Sequence, residues 1–186
     1  MKQGEIEIPP QDLKIIEWPD PRLRKTSKAV TEFDAALNAC VARMFELMRE
    51  AKGVGLAAPQ VGINLRFFII NPTGQPEDDR VYVNPLLSEA EDEEEAEEGC
   101  LSLPGVHVDV VRSLKLKMAA QDIDGKPFEQ VETGYIARIW QHENDHLNGT
   151  LLLDRMGPVA KMTHRKKIKE MEDRWISEHG KLPSKK

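Results

Sequence analysis

Gly134-Tyr135-Ile136-Ala137-Arg138-Ile139-Trp140-Gln141-His142-Glu143-Asn144-Asp145-His146-Leu147-Asn148-Gly149 is the stretch around which the rest of the chain is read. Ile136, Ile139 and Leu147 recur at helical spacing and Gly149 stands as a stop, which predicts a helix starting just after Gly134. Inside it lies an H-E-x-x-H pentad, His142 to His146. Residues four apart share one helical face, so both imidazoles can converge on one cation while Glu143 points at the water that cation binds. A pentad this short also arises by chance, and it needs a third ligand to become a site.

A metzincin-type protease places another His six residues after the second one, and here that position is Leu152, although Gly149 fits the longer motif. A thermolysin-like protease draws a Glu from a second helix of a much longer domain. The better candidate is upstream, in Glu98-Gly99-Cys100-Leu101-Ser102-Leu103-Pro104-Gly105, because the Cys100 thiolate is a strong ligand for a divalent transition metal. Two His, one Cys and a water make a four-coordinate catalytic site with an open position. The other cysteine, Cys40, reads as core, since Leu37, Cys40, Val41, Met44 and Met48 recur at helical spacing within Asp34–Lys52. Two cysteines in 186 residues argue against a disulfide framework and for a reducing compartment.

Gly53-Val54-Gly55-Leu56-Ala57-Ala58-Pro59-Gln60-Val61-Gly62 follows that helix and, alone, is a glycine-rich helix end and turn. Taken together in this order, G-x-G-L-A-A-x-Q, E-G-C-L-S and Q-H-E-x-D-H-L-x-G resemble the peptide deformylase family. The likeness runs from Pro19-Asp20-Pro21-Arg22-Leu23-Arg24, through Val83-Asn84-Pro85, to the C-terminal helical segment. The resemblance implies removal of the N-formyl group from the initiating methionine of nascent polypeptides, with release of formate. It implies Cys100, His142 and His146 as metal ligands and Glu143 as the general acid/base acting on a metal-bound water that attacks the formyl carbon.

The same resemblance makes the Gln60 side-chain amide and the Leu101 backbone N–H donors to the developing oxyanion, so that Gln60→Ala impairs turnover without ruining the fold. Gly55 matches a glycine lining the substrate cleft, where an extended peptide pairs as an added strand. Glu98, Arg112 and Asp145 resemble charged supports behind the ligands. By ligand type the site suits zinc; the resemblance implies Fe2+, with Zn2+, Ni2+ or Co2+ as substitutes. One departure stands out: three residues after the Pro of the cysteine loop, where many family members are expected to carry Arg, this chain has His107, which reads either as a weaker donor to substrate or as a solvated surface residue.

The chain is expected to be one α+β domain, with antiparallel strands around a central metal-binding helix and a C-terminal helix. Residues 1–157 supply the catalytic part, and 158–186 a basic helix and tail of the same single domain. A helix is expected over 34–51, extended segments at 66–70 and 80–84, and a hairpin over 114–133 turning at Asp124-Gly125. In Glu89–Glu98 eight of ten residues are acidic, which reads as a solvated, mobile loop. No apolar run reaches membrane-spanning length, and Met1–Glu7 lacks a signal-peptide core, so this form of the chain is expected to be cytoplasmic or already processed.

The formal net charge is −6, yet residues 158–186 carry nine Lys/Arg against four acidic residues, +5, leaving −11 on the remainder. Two readings of this basic segment stand: docking on ribosomal RNA, as the resemblance allows, or a helix that packs Met162, Ile168, Met171 and Trp175 on the body and leaves its charges to water. Two other classes remain open at this level. A zinc endopeptidase accounts for the pentad but not for Gly53–Gln60 or Cys100; a non-enzymatic ribosome-binding relative accounts for the tail but not for the assembled ligand set.

Overall fold

The Asp34 carboxylate accepts from the backbone N–H groups of Ala36 and Leu37, both at 3.0 Å, and so starts the first helix, α1 (Ala35–Glu50). Its buried face is Leu37, Cys40, Val41, Met44, Phe45 and Met48, and Cys40 is fully buried as expected. The computed structural model describes Ile6 and residues 8–183, so the reading made on Met1–Glu7 lies, Ile6 apart, outside the described residues, as do Ser184–Lys186 of the basic tail.

Five strands follow among the described residues: β1 (Gly55–Ala57), β2 (Phe67–Ile70), β3 (Arg80–Cys100), β4 (Leu103–Gln121) and β5 (Pro127–Thr133). They form one antiparallel sheet in sequence order. All four residues of β2 are buried. Phe67 and Ile69 join the cluster built on α1, while Phe68 and Ile70 join a second cluster on the opposite side, as the two-residue alternation of a strand requires. That second cluster contains Trp140, Ala137, Ile139 and Leu147 of α2 (Gly134–Leu147), so the pentad helix is seated in the fold by its own apolar residues. The Trp140 ring is fully buried and edge-on to Tyr82 at 5.5 Å.

The long β3–β4 hairpin corrects one expectation. Glu89–Glu98 is not a mobile loop but part of β3, and the extended segment at 80–84 is only its beginning. The carboxylates are tolerated because most face water and because β4 presents cations to them. Lys115 Nζ lies 2.9 Å from Glu91, and Lys117 Nζ is 3.4 Å from Glu89 and 3.0 Å from Glu129 of β5. The expected hairpin at Asp124-Gly125 is present, with Gly125 at φ 83° and its N–H donating to the Asp122 carbonyl at 3.0 Å; β4, however, begins well before residue 114.

Two further helices close the chain: α3 (Leu152–Arg155) and α4 (Pro158–His179). Met171, with Ile168 partly buried, packs α4 onto Leu103, Val106, Val108 and Val110 of β4. Met162 is 78% exposed, which corrects its placement among the packed residues, and Trp175 is half-buried and stacked on His179 at 3.8 Å. No helix among the described residues is long and apolar enough to cross a membrane. The arrangement is the expected α+β one, strands enclosing a central helix.

Candidate active site

Cys100 is the last residue of β3, and only Leu101 and Ser102 separate it from β4, so the hairpin tip delivers the thiol to the pentad helix. One ligand atom each from Cys100, His142 and His146 lie within 4.8 Å of one another, and Cys100 Sγ is 3.3 Å from His146 Nε2. The two imidazoles, one helical turn apart, stand at 65° with ring centroids 5.2 Å apart. The three expected ligand residues therefore meet at one point.

Behind them stands Glu98. Burial alone pushes its carboxyl up, but the Arg112 guanidinium and His142 outweigh burial and hold it at about 2. An ionised carboxylate can only accept, so the 3.0 Å contact from His142 Nδ1 to Glu98 Oε2 puts a proton on Nδ1 and leaves Nε2 as the ring nitrogen whose lone pair a cation in the gap would take in place of a second proton. Arg112 donates to both oxygens of Glu98 at 2.9 Å and to Asp145 Oδ2 at 2.7 Å, the cluster of charged supports anticipated from sequence. Burial disfavours charge on His142, yet Cys100 and Glu98 outweigh it and raise this imidazole well above its ordinary value, whereas burial lowers His146. Surroundings that stabilise a positive charge at His142 equally favour a cation in the gap.

Glu143 is buried, and its Oε2 has no hydrogen-bond partner. Burial raises the carboxyl to about 7, against the opposing charge of His142. A buried, unpaired carboxylate oxygen beside three converging soft and borderline ligands is what a catalytic metal site with an open coordination position requires, and the residues fit such an ion.

Gln60, on the 3-10 turn Ala58–Val61, is 1% exposed. Its Oε1 accepts from Ala57 N at 2.9 Å, which turns Nε2 toward Ser102 Oγ at 3.2 Å and Cys100 Sγ at 3.6 Å. The turn is itself held: Ile16 N donates to the Gln60 carbonyl at 2.8 Å and Trp18 N to the Ser102 carbonyl at 2.9 Å. Gly55 of β1 faces Glu143 without intervening atoms, and a Cβ at Gly53 would come within 2.6 Å of the Leu101 side chain.

A cleft of 560 Å³ opens between these two segments, lined among others by Gly55, Gln60, Cys100, Leu101, His142 and Glu143. His107 also lines it; the residue is exposed, with its ring against Gly99, where an added Cβ would meet it at 3.0 Å. Two participants escaped the sequence reading. Ser102 and Arg138 were each quoted only as part of a longer stretch, although a cation among buried positions is itself a signal that a buried anion lies nearby.

The family model for polypeptide deformylase matches residues 12–162. A peptide deformylase of Chromobacterium violaceum is 42% identical over 160 residues, covering 86% of this chain and 96% of that one. A peptide deformylase of Thermotoga petrophila is 46% identical over 153 residues, covering 82% of this chain and 92% of its own. The crystal structure of a plant peptide deformylase superposes with a TM-score of 0.92 at 37% identity, covering 97% of this chain and all of that one, 100%. A match over most of the length, carrying the same fold, makes the chain an enzyme of the hydrolase class: it belongs to the polypeptide deformylase family.

Proposed function

We propose that this protein hydrolyses the N-formyl group of N-formyl-methionyl nascent polypeptides, breaking the formyl C–N bond and releasing formate and a free amino terminus. The observation that carries the reading is the convergence of the Cys100, His142 and His146 ligand atoms beside a cleft that Gln60, Cys100, His142 and Glu143 line, in a chain of this family. Cys100, His142 and His146 would hold a divalent metal, for which we propose Fe2+, with Zn2+, Ni2+ or Co2+ as substitutes. Such an ion supplies Lewis acidity, polarising oxygen and easing its deprotonation.

The chain's own groups do the rest. Glu143, with Oε2 unpaired in the cleft wall, takes the proton of the attacking water and returns it to the leaving amine nitrogen. Gln60 Nε2, aimed by the bond from Ala57, and the Leu101 backbone N–H donate to the oxygen that gains charge as the carbon becomes tetrahedral. Gly55, without a side chain, leaves room for an extended peptide along the β1 side of the cleft.

Formate release from a formyl-Met peptide, measured anaerobically with Fe2+-loaded protein beside Glu143→Ala and an unformylated peptide with internal bonds, tests this. Release abolished in the variant and no cleavage of the control supports it. Absence of release from folded, metal-loaded protein, or internal cleavage of the control, refutes it in favour of another substrate or a protease.

We also propose that residues 158–186 belong to the same domain as 1–157 and that α4 meets ribosomal RNA. Supporting this, Met171 is buried on β4 while Lys161, Arg165 and Lys166 are exposed. Because Met171 is core, reversing those three cations to Glu is a cleaner test than deletion: salt-sensitive ribosome binding should fall while small-peptide turnover stays. Two unpaired cysteines and the nascent-chain substrate agree with work in the cytoplasm.

A further inference from the structure

Glu98 receives more than the metal-side network accounts for. Its Oε2 takes Arg112 Nη2 and His142 Nδ1, and its Oε1 takes Arg112 Nε and, from the other side, Arg138 Nη1 at 2.9 Å. The Arg138 guanidinium is anchored in turn: Nη1 donates to the Val110 carbonyl at 2.8 Å and Nη2 to the Glu94 carbonyl at 2.6 Å. One buried head group thus joins three elements. It grows from α2, one helical turn before His142; it grips β3 and β4, whose shared tip carries Cys100; and it fixes the carboxylate that orients the His142 ring.

We propose that Arg138 is a positioning residue of the metal centre, holding the thiolate strand and the imidazole helix at ligating separation; this rests on the metal-site reading above. The geometry explains why a second guanidinium is needed beside Arg112. With two donors on Oε1, the carboxylate cannot rotate about its Cγ–Cδ bond without breaking a charge-assisted hydrogen bond, so Oε2 stays directed at His142 Nδ1. Arg112 spans both oxygens of the carboxylate and ties β4 to α2 through Asp145 at 2.7 Å, but it makes no bond to the carbonyls of Glu94 or Val110; of the two guanidiniums, Arg138 is the one that joins the helix to the backbone of both hairpin strands. Removal of such an outer partner lowers metal affinity about 10–100-fold in comparable sites.

The test uses full-length protein loaded with Zn2+ or Co2+ and needs no formyl-peptide, so its outcome is separable from that of the deformylase reading. Metal dissociation into a chelator is followed for the parent, Arg138→Met, which keeps the stem without donors, and Arg138→Lys, which keeps the charge with a single head. Thermal unfolding of the metal-free proteins and the visible spectrum of the Co2+ forms are recorded alongside. The expected result is dissociation about 10–100-fold faster for Arg138→Met, an intermediate rate for Arg138→Lys, and a shifted Co2+ band. Unchanged dissociation and an unchanged Co2+ band overturn the proposal, whether or not the melting temperature falls, because a lower melting temperature alone marks a purely structural tie. If Arg138→Met does not fold, Arg138→Lys decides by the same measurements.

Discussion

Gly55 and the Glu143 carboxylate are in direct contact: a Cβ on Gly55 would lie 2.9 Å from Glu143 Cδ and 3.0 Å from Ile139 Cγ2. The glycine is needed here for space, not for an unusual backbone angle, since its φ is not among the positive ones. Gly55→Ala should therefore fold and bind metal while displacing Glu143. A shift of about 1 Å in a reacting group costs on the order of 10²-fold, so kcat/KM should fall by roughly that factor with an unchanged circular dichroism spectrum. Activity equal to the parent would show that the carboxylate has another productive position.

Gln60→Ala should have two separable effects. Loss of one oxyanion donor lowers kcat by about 10²–10³. Because Oε1 also satisfies the buried Ala57 N–H, the variant should lose about 1–3 kcal/mol of stability as well, more than the sequence alone suggested. Steady-state kinetics and a urea titration on the same preparation read the two.

Glu98 links acidity to stability. Its carboxyl is held at about 2 against 4.5 when free, so the folded state prefers the ionised form; the gain is complete above about 4.5 and is lost as pH falls through about 2. The shift corresponds to about 3 kcal/mol, to be read in metal-free protein by denaturant titration between those limits. Glu98→Gln should start less stable at neutral pH, because it removes the buried anion that Arg112 and Arg138 share and leaves Arg112 with Asp145 alone, and should show a flatter acid limb.

The two thiols should differ in reactivity. Burial pushes Cys40 up to about 12, and among the described residues its Sγ has Met44 Sδ, at 3.9 Å, as its hydrogen-bonding partner. In metal-free native protein a thiol reagent at about pH 8.5 should label Cys100 and leave Cys40 unlabelled until the chain unfolds. Mass spectrometry of the labelled peptides distinguishes this from equal labelling, which would mean that α1 opens readily.

The pentad helix, α1, the buried Cys40 and the turn at Asp124-Gly125 were legible from sequence because each is specified within one segment, by periodicity or a turn-forming dipeptide. The three residues whose ligand atoms converge, Cys100, His142 and His146, could be named for the same reason: motif and order survive in one dimension. The acidic stretch of β3 was misread because its strand character comes from elsewhere. Lys115 and Lys117 lie more than twenty residues away, and only the register of the hairpin brings them opposite Glu91 and Glu89. Arg138 was passed over for a related reason, since a buried cation acquires meaning only once its anion, forty residues upstream, is brought against it. What the amino-acid sequence by itself determined about this protein is therefore the set of local elements and the chemical types at the site. The tertiary structure alone decided which charges neutralise one another, how Glu98 orients His142, and that Gly55 must be bare to admit Glu143, because those are contacts between segments whose separation along the chain carries no distance information.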